Sequence, residues 1–131
     1  MTSLSSPAIQ NSHANQHDLT WSRSEKTIAR KAFDAARKRE LHEVIQEAKQ
    51  MASRIRQSSD LWDLEHYLTQ RRKEIDRKYD YRYSQLTQVF GRLLYENRLS
   101  EKDLRGLREN KLNSIRSTAQ FLAKYAASPA F

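Results

Sequence analysis

Hydrophobic residues recur every three or four positions from residue 28 onward, which is the spacing of one face of an α-helix. The pattern predicts a first helix over residues 23–57, about 50 Å long at the helical rise per residue. Ser22 and Glu25 have the spacing of a capping box, so we expect the helix to begin there. The predicted buried face consists of Ile28, Ala32, Ala36, Leu41, Val44, Ile45, Ala48, Ala52 and Ile55.

A second apolar stripe follows Ser58, and either Ser59 or Asp60 is the predicted N-cap of a second helix. The stripe continues without a glycine or proline until Gly91, so we predict one long helix that closes at residues 97–100. Its apolar positions are Leu61, Leu64, Leu68, Ile75, Tyr79, Leu86, Val89, Phe90, Leu93 and Leu94.

A third helix is predicted to open at Ser100, because Asp103 follows three residues later and Leu99 can form a hydrophobic staple with Leu104. Its face comprises Leu104, Leu107, Leu112, Ile115, Ala119 and Leu122. The possibility of a break near Asn110 or Asn113, which would divide this helix, stays open.

The composition supports an all-α fold of two long helices that form a stalk, with a short helical C-terminal head. The chain has only two glycines and two prolines, Pro7 and Pro129, whereas β and α/β chains need frequent turn residues. It has no cysteine, which excludes disulfides, cysteine-ligated metals and thiol catalysis. Since only 37% of the residues are hydrophobic, we expect a second copy of the chain to complete the core.

Residues 1–20 are rich in Ser, Asn, Gln and His, carry one charge and show no apolar period, so we predict a disordered tail. Residues 21–131 then form a single helical domain. No apolar run reaches the ~20 residues of a membrane-spanning helix, and the N-terminus lacks the features of a secretory signal. We therefore expect a cytoplasmic protein.

Neither catalysis nor metal binding is predicted. His42-Glu43 begins like a zinc-protease motif, but Gln46 stands where the second histidine would be required. The carboxylates of the second helix have basic neighbours at helical spacing, as Glu74 has Lys78, which is typical of solvated ion pairs. We expect no enzymatic activity and no cofactor.

The net charge of +8 favours an acidic partner. Residues 71–83 alternate basic and aromatic side chains, a pattern that nucleic-acid-binding proteins use, although Glu74, Asp76 and Asp80 would repel phosphate. The alternative interpretation is a helix surface whose charges form ion pairs and whose tyrosines pack on a partner helix.

Trp62 is the most unusual residue of the second helix, because it lies off the stripe formed by Leu61, Leu64 and Leu68. One residue turns the helix by about 100°, so Trp62 points to a different neighbour. It either caps the core near the helix start or packs on another chain; we favour the second, because tryptophan is enriched at interfaces.

The chain resembles the cyanobacterial fluorescence recovery protein family from Trp21 to about Ala119. The most specific matching block runs from Asp60-Leu61-Trp62-x-Leu64 through Tyr67-Leu68 to Arg72-x-Glu74-Ile75-Asp76-x-Lys78-Tyr79-Asp80-Tyr81-Arg82-x-Ser84. Further matching pieces are Trp21-Ser22-x-x-Glu25, Phe33-x-x-Ala36, Arg39-Glu40-Leu41, Val89-Phe90-x-x-Leu93-Leu94, Leu104, Leu107, Lys111 and Ile115.

This resemblance implies a non-enzymatic homodimer with an antiparallel stalk and a smaller head. Such a protein binds the light-activated orange carotenoid protein, hastens its return to the resting orange state and thereby ends quenching at the phycobilisome. It needs no cofactor, and it works in the cytoplasm close to the thylakoids.

The resemblance also implies where the site lies. The expected dimer and partner interface comprises Trp62, Leu64, Glu65, His66, Tyr67, Arg72, Asp76 and Tyr79, and a basic docking surface comprises Arg71, Lys78 and Arg82. The family pattern has His-Asp after Trp-x-Leu, whereas this chain has Glu65-His66. The alternative is therefore a divergent relative with another partner, either a protein or a nucleic acid.

Overall fold

The computed structural model describes residues 20–127, and every regular element in this range is helical, which confirms the predicted all-α class. The predicted tail lies outside the described residues except for Thr20. The elements are α1 (Arg23–Ser53), α2 (Ser58–Lys78), α3 (Leu86–Tyr95), a 3-10 helix (Glu101–Leu104) and α4 (Glu109–Ala127).

Helix α1 begins with the predicted capping box. Glu25 N–H donates to Ser22 Oγ at 3.2 Å, and Ser22 N–H donates to the Glu25 carboxylate at 3.0 Å. The helix ends at Ser53 rather than at the predicted Gln57. The reason is that the Asp60 carboxylate accepts the N–H groups of Arg56 and Gln57 at 3.0 and 3.2 Å, which starts α2 at Ser58.

The prediction of one continuous second helix is wrong, because residues 79–85 separate α2 from α3. The Tyr79 hydroxyl reaches back to Glu40 on α1 at 2.8 Å, and the Tyr81 ring packs edge-on against Phe33 with 4.8 Å between centroids. Tyr79 and Tyr81 are two residues apart, so a continuous helix would direct their side chains to opposite sides. Contacts with α1 therefore override the local periodicity.

The predicted third helix is also divided, but the break precedes Asn110. The capping box of Ser100 and Asp103 is present, yet it starts only the short 3-10 helix. The backbone becomes extended at Arg105, Gly106 follows with a φ of +104° that favours glycine, and α4 begins at Glu109. A methyl group at Gly106 would also lie 2.5 Å from Ile28 Cδ1, so the turn packs directly on α1.

The head contains the hydrophobic core, where α3 packs on α4 and on the first half of α1. Its buried apolar side chains include Trp21, Ala29, Ala32, Phe33, Ala36, Leu86, Val89, Phe90, Leu93, Leu99, Leu104, Leu107 and Ile115. The second half of α1 and most of α2 form a helical hairpin, which we call the stalk (residues 41–74), and none of its residues is buried. No described helix is long and apolar enough to cross a membrane.

Candidate functional site

Helix α2 presents two opposite faces, and the predicted site residues divide between them. At about 100° per residue, Trp62, Glu65, His66, Arg72 and Asp76 fall within an arc of about 120° around α2, so they share one side of the helix. All five are exposed. We call these five residues the outer face.

The outer face leaves a large aromatic side chain in solvent, since 62% of the Trp62 surface is accessible. Leu61 and Leu68 on α2 and Ile45 on α1 are also exposed. The polar members are not brought together within one chain: Glu65 accepts from Thr69 Oγ1 at 3.0 Å, while Arg72 has no hydrogen bond or ion pair within residues 20–127. These residues are available to a second molecule.

The opposite side of α2 faces α1. Leu64 and Tyr67 are half-buried there and hold the hairpin together, and Arg71 and Lys78 follow on the same side. Arg71 donates to Glu40 at 2.8 Å and to Glu74 at 2.7 Å. Arg71 therefore contacts α1 through its ion pair with Glu40.

Lys78 also forms ion pairs within the chain. Its side chain is only 7% exposed, and its ammonium group donates to Glu40 and Glu96 at 2.8 Å. Arg82 is exposed, but its guanidinium group donates to Asp80 at 2.8 Å. Each of the three residues predicted as a basic docking surface, Arg71, Lys78 and Arg82, thus forms an ion pair within the chain, and only Arg82 is exposed.

Glu40 lies at the centre of these ion pairs, where the stalk meets the head. Its carboxylate is fully buried and accepts from Arg71, Lys78 and Tyr79, with Arg98 at 3.2 Å. Burial would raise the pKa of Glu40, but the hydrogen bonds from Lys78 and Tyr79 and the nearby cations lower it. Burial and the Glu40 carboxylate raise the pKa of Tyr79, so Tyr79 acts as a hydrogen-bond donor.

Glu96 and Arg98 join the same cluster from the end of α3. Burial would raise the pKa of Glu96, but hydrogen bonds from Lys78, Arg92 and Arg98 lower it to about 2. The cluster thus ties α1, α2 and the residues just after α3 through the carboxylates of Glu40 and Glu96 and their basic partners. Its members fix the angle at which the stalk leaves the head.

No role for Glu40 is predicted from the sequence, although one signal is present there. Glu40 continues the buried series Ala29, Ala32, Phe33 and Ala36 at helical spacing. A charged residue at a buried position of a helix needs a partner from another element. That signal identifies Glu40 as a buried ion-pair centre, but it does not identify the partners.

The sequence of this chain matches a known protein family. The sequence profile of the photoprotection regulator fluorescence recovery protein family matches residues 21–119. The chain belongs to this family. It is 37% identical over 103 residues to the fluorescence recovery protein of Synechocystis sp. PCC 6803, which covers 79% of this chain and 94% of that relative.

Solved structures of fluorescence recovery proteins share the fold. The Fremyella diplosiphon protein superimposes with a TM-score of 0.74 at 39% identity, over 77% of this chain and 99% of that one. The Synechocystis sp. PCC 6803 protein gives the same TM-score at 37% identity, again over 77% and 99%. The resemblance is confirmed, and the family is described as a photoprotection regulator.

Proposed function

We propose that this protein is a dimeric, non-enzymatic regulator that binds the photoactivated orange carotenoid protein in the cytoplasm near the thylakoids. Binding accelerates the return of that protein to its resting orange state and ends quenching at the phycobilisome. Membership of the fluorescence recovery protein family is the observation that carries this proposal. The exposed outer face of α2 supplies a surface for binding another protein.

The lack of buried residues in the stalk favours the proposed dimer. It has no buried residue between Glu40 and Ile75, and a two-helix hairpin that buries so little is not stable by itself. A second copy that covers Ile45, Leu61, Trp62 and Leu68 would supply the missing apolar contacts. Because the same patch would meet itself in a two-fold dimer, the interface needs to be self-complementary.

The outer face has the residue types of such an interface. Trp62 and Arg72 belong to the types that contribute most to binding energy, and Glu65, His66 and Asp76 are polar residues beside them. Glu65 or Asp76 of one chain could pair with Arg72 of the other, because Arg72 lacks a partner within the described residues. We assign Leu64 and Tyr67 to support of the hairpin beneath this face.

No covalent chemistry is needed for the proposed activity. A regulator accelerates a conformational return when it binds the transition state between the two forms more tightly than the active form. A tenfold acceleration needs only ~1.4 kcal/mol of such differential binding.

Size-exclusion chromatography of the chain with the orange carotenoid protein tests the binding step. We expect co-migration with the illuminated protein and a larger elution shift than with the dark-adapted protein. Trp62→Ala tests the outer face, and Phe121→Ala, an equally exposed aromatic on α4, is the matched control. Separate elution of the two wild-type proteins under illumination would contradict the proposal.

The second candidate is a divergent regulator with a different protein partner, and the Glu65-His66 pair favours it. Nucleic-acid binding through residues 71–82 has less support, because Arg71, Lys78 and Arg82 already bind carboxylates. An anisotropy titration with single-stranded DNA at increasing salt separates these candidates. Binding that weakens steeply with salt would favour a nucleic acid.

A further inference from the structure

A cleft of about 330 Å³ lies on the head between α1 and the 3-10 helix. Its apolar lining comes from Ile28, Ala32 and Ala35 on α1, and its polar lining includes Lys31 from α1 with Lys102 and Arg105 from the opposite side. This cleft is separate from the outer face of α2, and none of the interface residues proposed above lines it.

The cations of the cleft are not neutralised within the described part of the chain. Lys31, Lys102 and Arg105 are exposed and have no hydrogen bond or ion pair from their side chains in residues 20–127. Arg39 also lines the cleft, but it donates to Asp103 at 3.1 Å and to the Arg98 carbonyl at 2.6 Å. The three remaining cations therefore give the cleft a net positive charge.

Neighbouring carboxylates are occupied by other groups. Asp34 pairs with Arg30 at 3.3 Å, and Glu101 pairs with Arg116 at 3.0 Å. Asp103 accepts from Arg39 and from Ser100 N–H, which fixes the 3-10 helix. No carboxylate in this part of the structure compensates the three exposed cations.

The cleft is built from rigid parts. Gly106 adopts a positive φ, and its Cα approaches Ile28 so closely that a methyl group there would lie 2.5 Å from Ile28 Cδ1. The capping box at Ser100 fixes the other end of the same segment. A preformed cleft loses little conformational entropy on binding, which favours a specific ligand.

We propose that this cleft docks an acidic amphipathic segment of a protein partner. One apolar side chain of that segment packs on Ile28, Ala32 and Ala35, and flanking carboxylates bind Lys31, Lys102 and Arg105. A nucleic acid fits less well, because the lining contains no aromatic ring on which a base could stack. The small alanine side chains leave room for a branched aliphatic group.

A fluorescein-labelled helical peptide tests this proposal by anisotropy with the full chain. The probe carries glutamates on both sides of a leucine stripe, and a second probe has serine in place of every leucine. The variant Lys31→Glu/Lys102→Glu reverses two charges in the cleft, and Lys49→Glu/Lys73→Glu reverses two exposed lysines outside it. Both double variants have the same net charge.

We expect the glutamate–leucine peptide to bind the wild-type chain, and to bind the cleft variant at least tenfold more weakly. The Lys49→Glu/Lys73→Glu control should stay within twofold of wild type, and the serine peptide should bind poorly. Arg105→Glu is a second cleft variant with the same expected direction, and circular dichroism checks that each variant is folded.

Equal weakening in the cleft and control variants would overturn the proposal, because it would show non-specific attraction. Equal binding of the serine and leucine peptides would also overturn it, and so would tighter cleft-dependent binding of a single-stranded oligonucleotide. The test needs no carotenoid protein, so its outcome is independent of the proposed function. A chain that fails to accelerate carotenoid recovery can still bind the peptide through this cleft.

Discussion

Lys111 and Glu25 form a buried ion pair between the start of α4 and the start of α1. The Lys111 ammonium group lies 3.0 Å from Glu25 Oε1, and each side chain is only 1% exposed. The same ammonium group donates to the Thr20 carbonyl at 2.6 Å and lies over the Trp21 ring. Glu25 also accepts Arg108 N–H at 2.9 Å, so its carboxylate connects the start of α1 to the segment where α4 begins.

Removal of the carboxylate from this pair should destabilise the protein strongly. Glu25→Ala leaves Lys111 buried without its counter-charge, and we expect a loss of ~3–5 kcal/mol in the free energy of unfolding. Urea denaturation followed by circular dichroism measures the loss. Asp63→Ala, which removes an exposed carboxylate from the stalk, is the control and should change stability by less than ~0.5 kcal/mol.

The double variant Glu25→Leu/Lys111→Met distinguishes charge burial from lost packing. Since it removes both charges and keeps apolar volume, we expect it to recover much of the stability lost in Glu25→Ala. A double variant that is no more stable than Glu25→Ala would contradict this explanation.

Stability should decrease as the pH falls from about 5 towards 2. Burial would raise the pKa of Glu25, but hydrogen bonds from Ser22, Arg108 and Lys111 lower it from 4.5 to about 2. Glu96 shows a similar reduction, also to about 2. The unfolded carboxylates therefore bind protons before the folded ones, so their contribution is complete above pH 4.5 and is lost as the pH approaches 2.

Urea midpoints measured across this pH range test the sign of the effect. We expect the midpoint to fall with pH, and to fall less steeply in Glu25→Gln than in wild type. A midpoint that rises on acidification would show that these carboxylates are not stabilised in the folded protein.

Gly91→Ala should destabilise the contact between α3 and α4. A methyl group at Gly91 would overlap Thr118, with Thr118 Cγ2 at 2.6 Å and the Ile115 carbonyl oxygen at 2.9 Å. Alanine gains ~0.5–1 kcal/mol of helix preference over glycine. Overpacking costs ~1–3 kcal/mol, so we expect a net loss.

Thermal unfolding of Gly91→Ala in two backgrounds identifies the cause. The substitution should cost less when Thr118→Gly has removed the side chain that it meets. Equal costs in the wild-type and Thr118→Gly backgrounds would show that Thr118 is not responsible.

Self-association should depend on the outer face of α2. We expect Trp62→Ala and Arg72→Ala each to weaken the dimer by ~1–4 kcal/mol, the range of interface anchors. Sedimentation equilibrium measures the dissociation constant. Phe121→Ala should leave it unchanged, because Phe121 is similarly exposed but lies on α4. Equal dissociation constants for wild type and both α2 variants would remove Trp62 and Arg72 from the interface.

The sequence predicted local features better than distant contacts. The capping boxes at Ser22 and Ser100 depend on residues three positions away, and the structure contains both. The break at Tyr79 depends on Glu40, which is 39 positions away, so helical periodicity could not reveal it. Local patterns define the helices, whereas long-range hydrogen bonds determine where they stop.

The same distinction applies to the candidate site. The position of Trp62 off the apolar stripe favoured packing on another chain over a cap on the core, and the structure shows its side chain exposed. Arg71 and Lys78 belong to the basic docking surface that the family resemblance implies. Both instead bind the buried Glu40, whose place in the series from Ala29 to Ala36 was the available signal.

The most direct test of the proposed function is the decay of red absorbance of photoactivated orange carotenoid protein in the dark. We expect that the added chain accelerates this decay and that the rate saturates as the chain reaches stoichiometric amounts. A decay rate that stays unchanged with the chain in excess would contradict the proposed function.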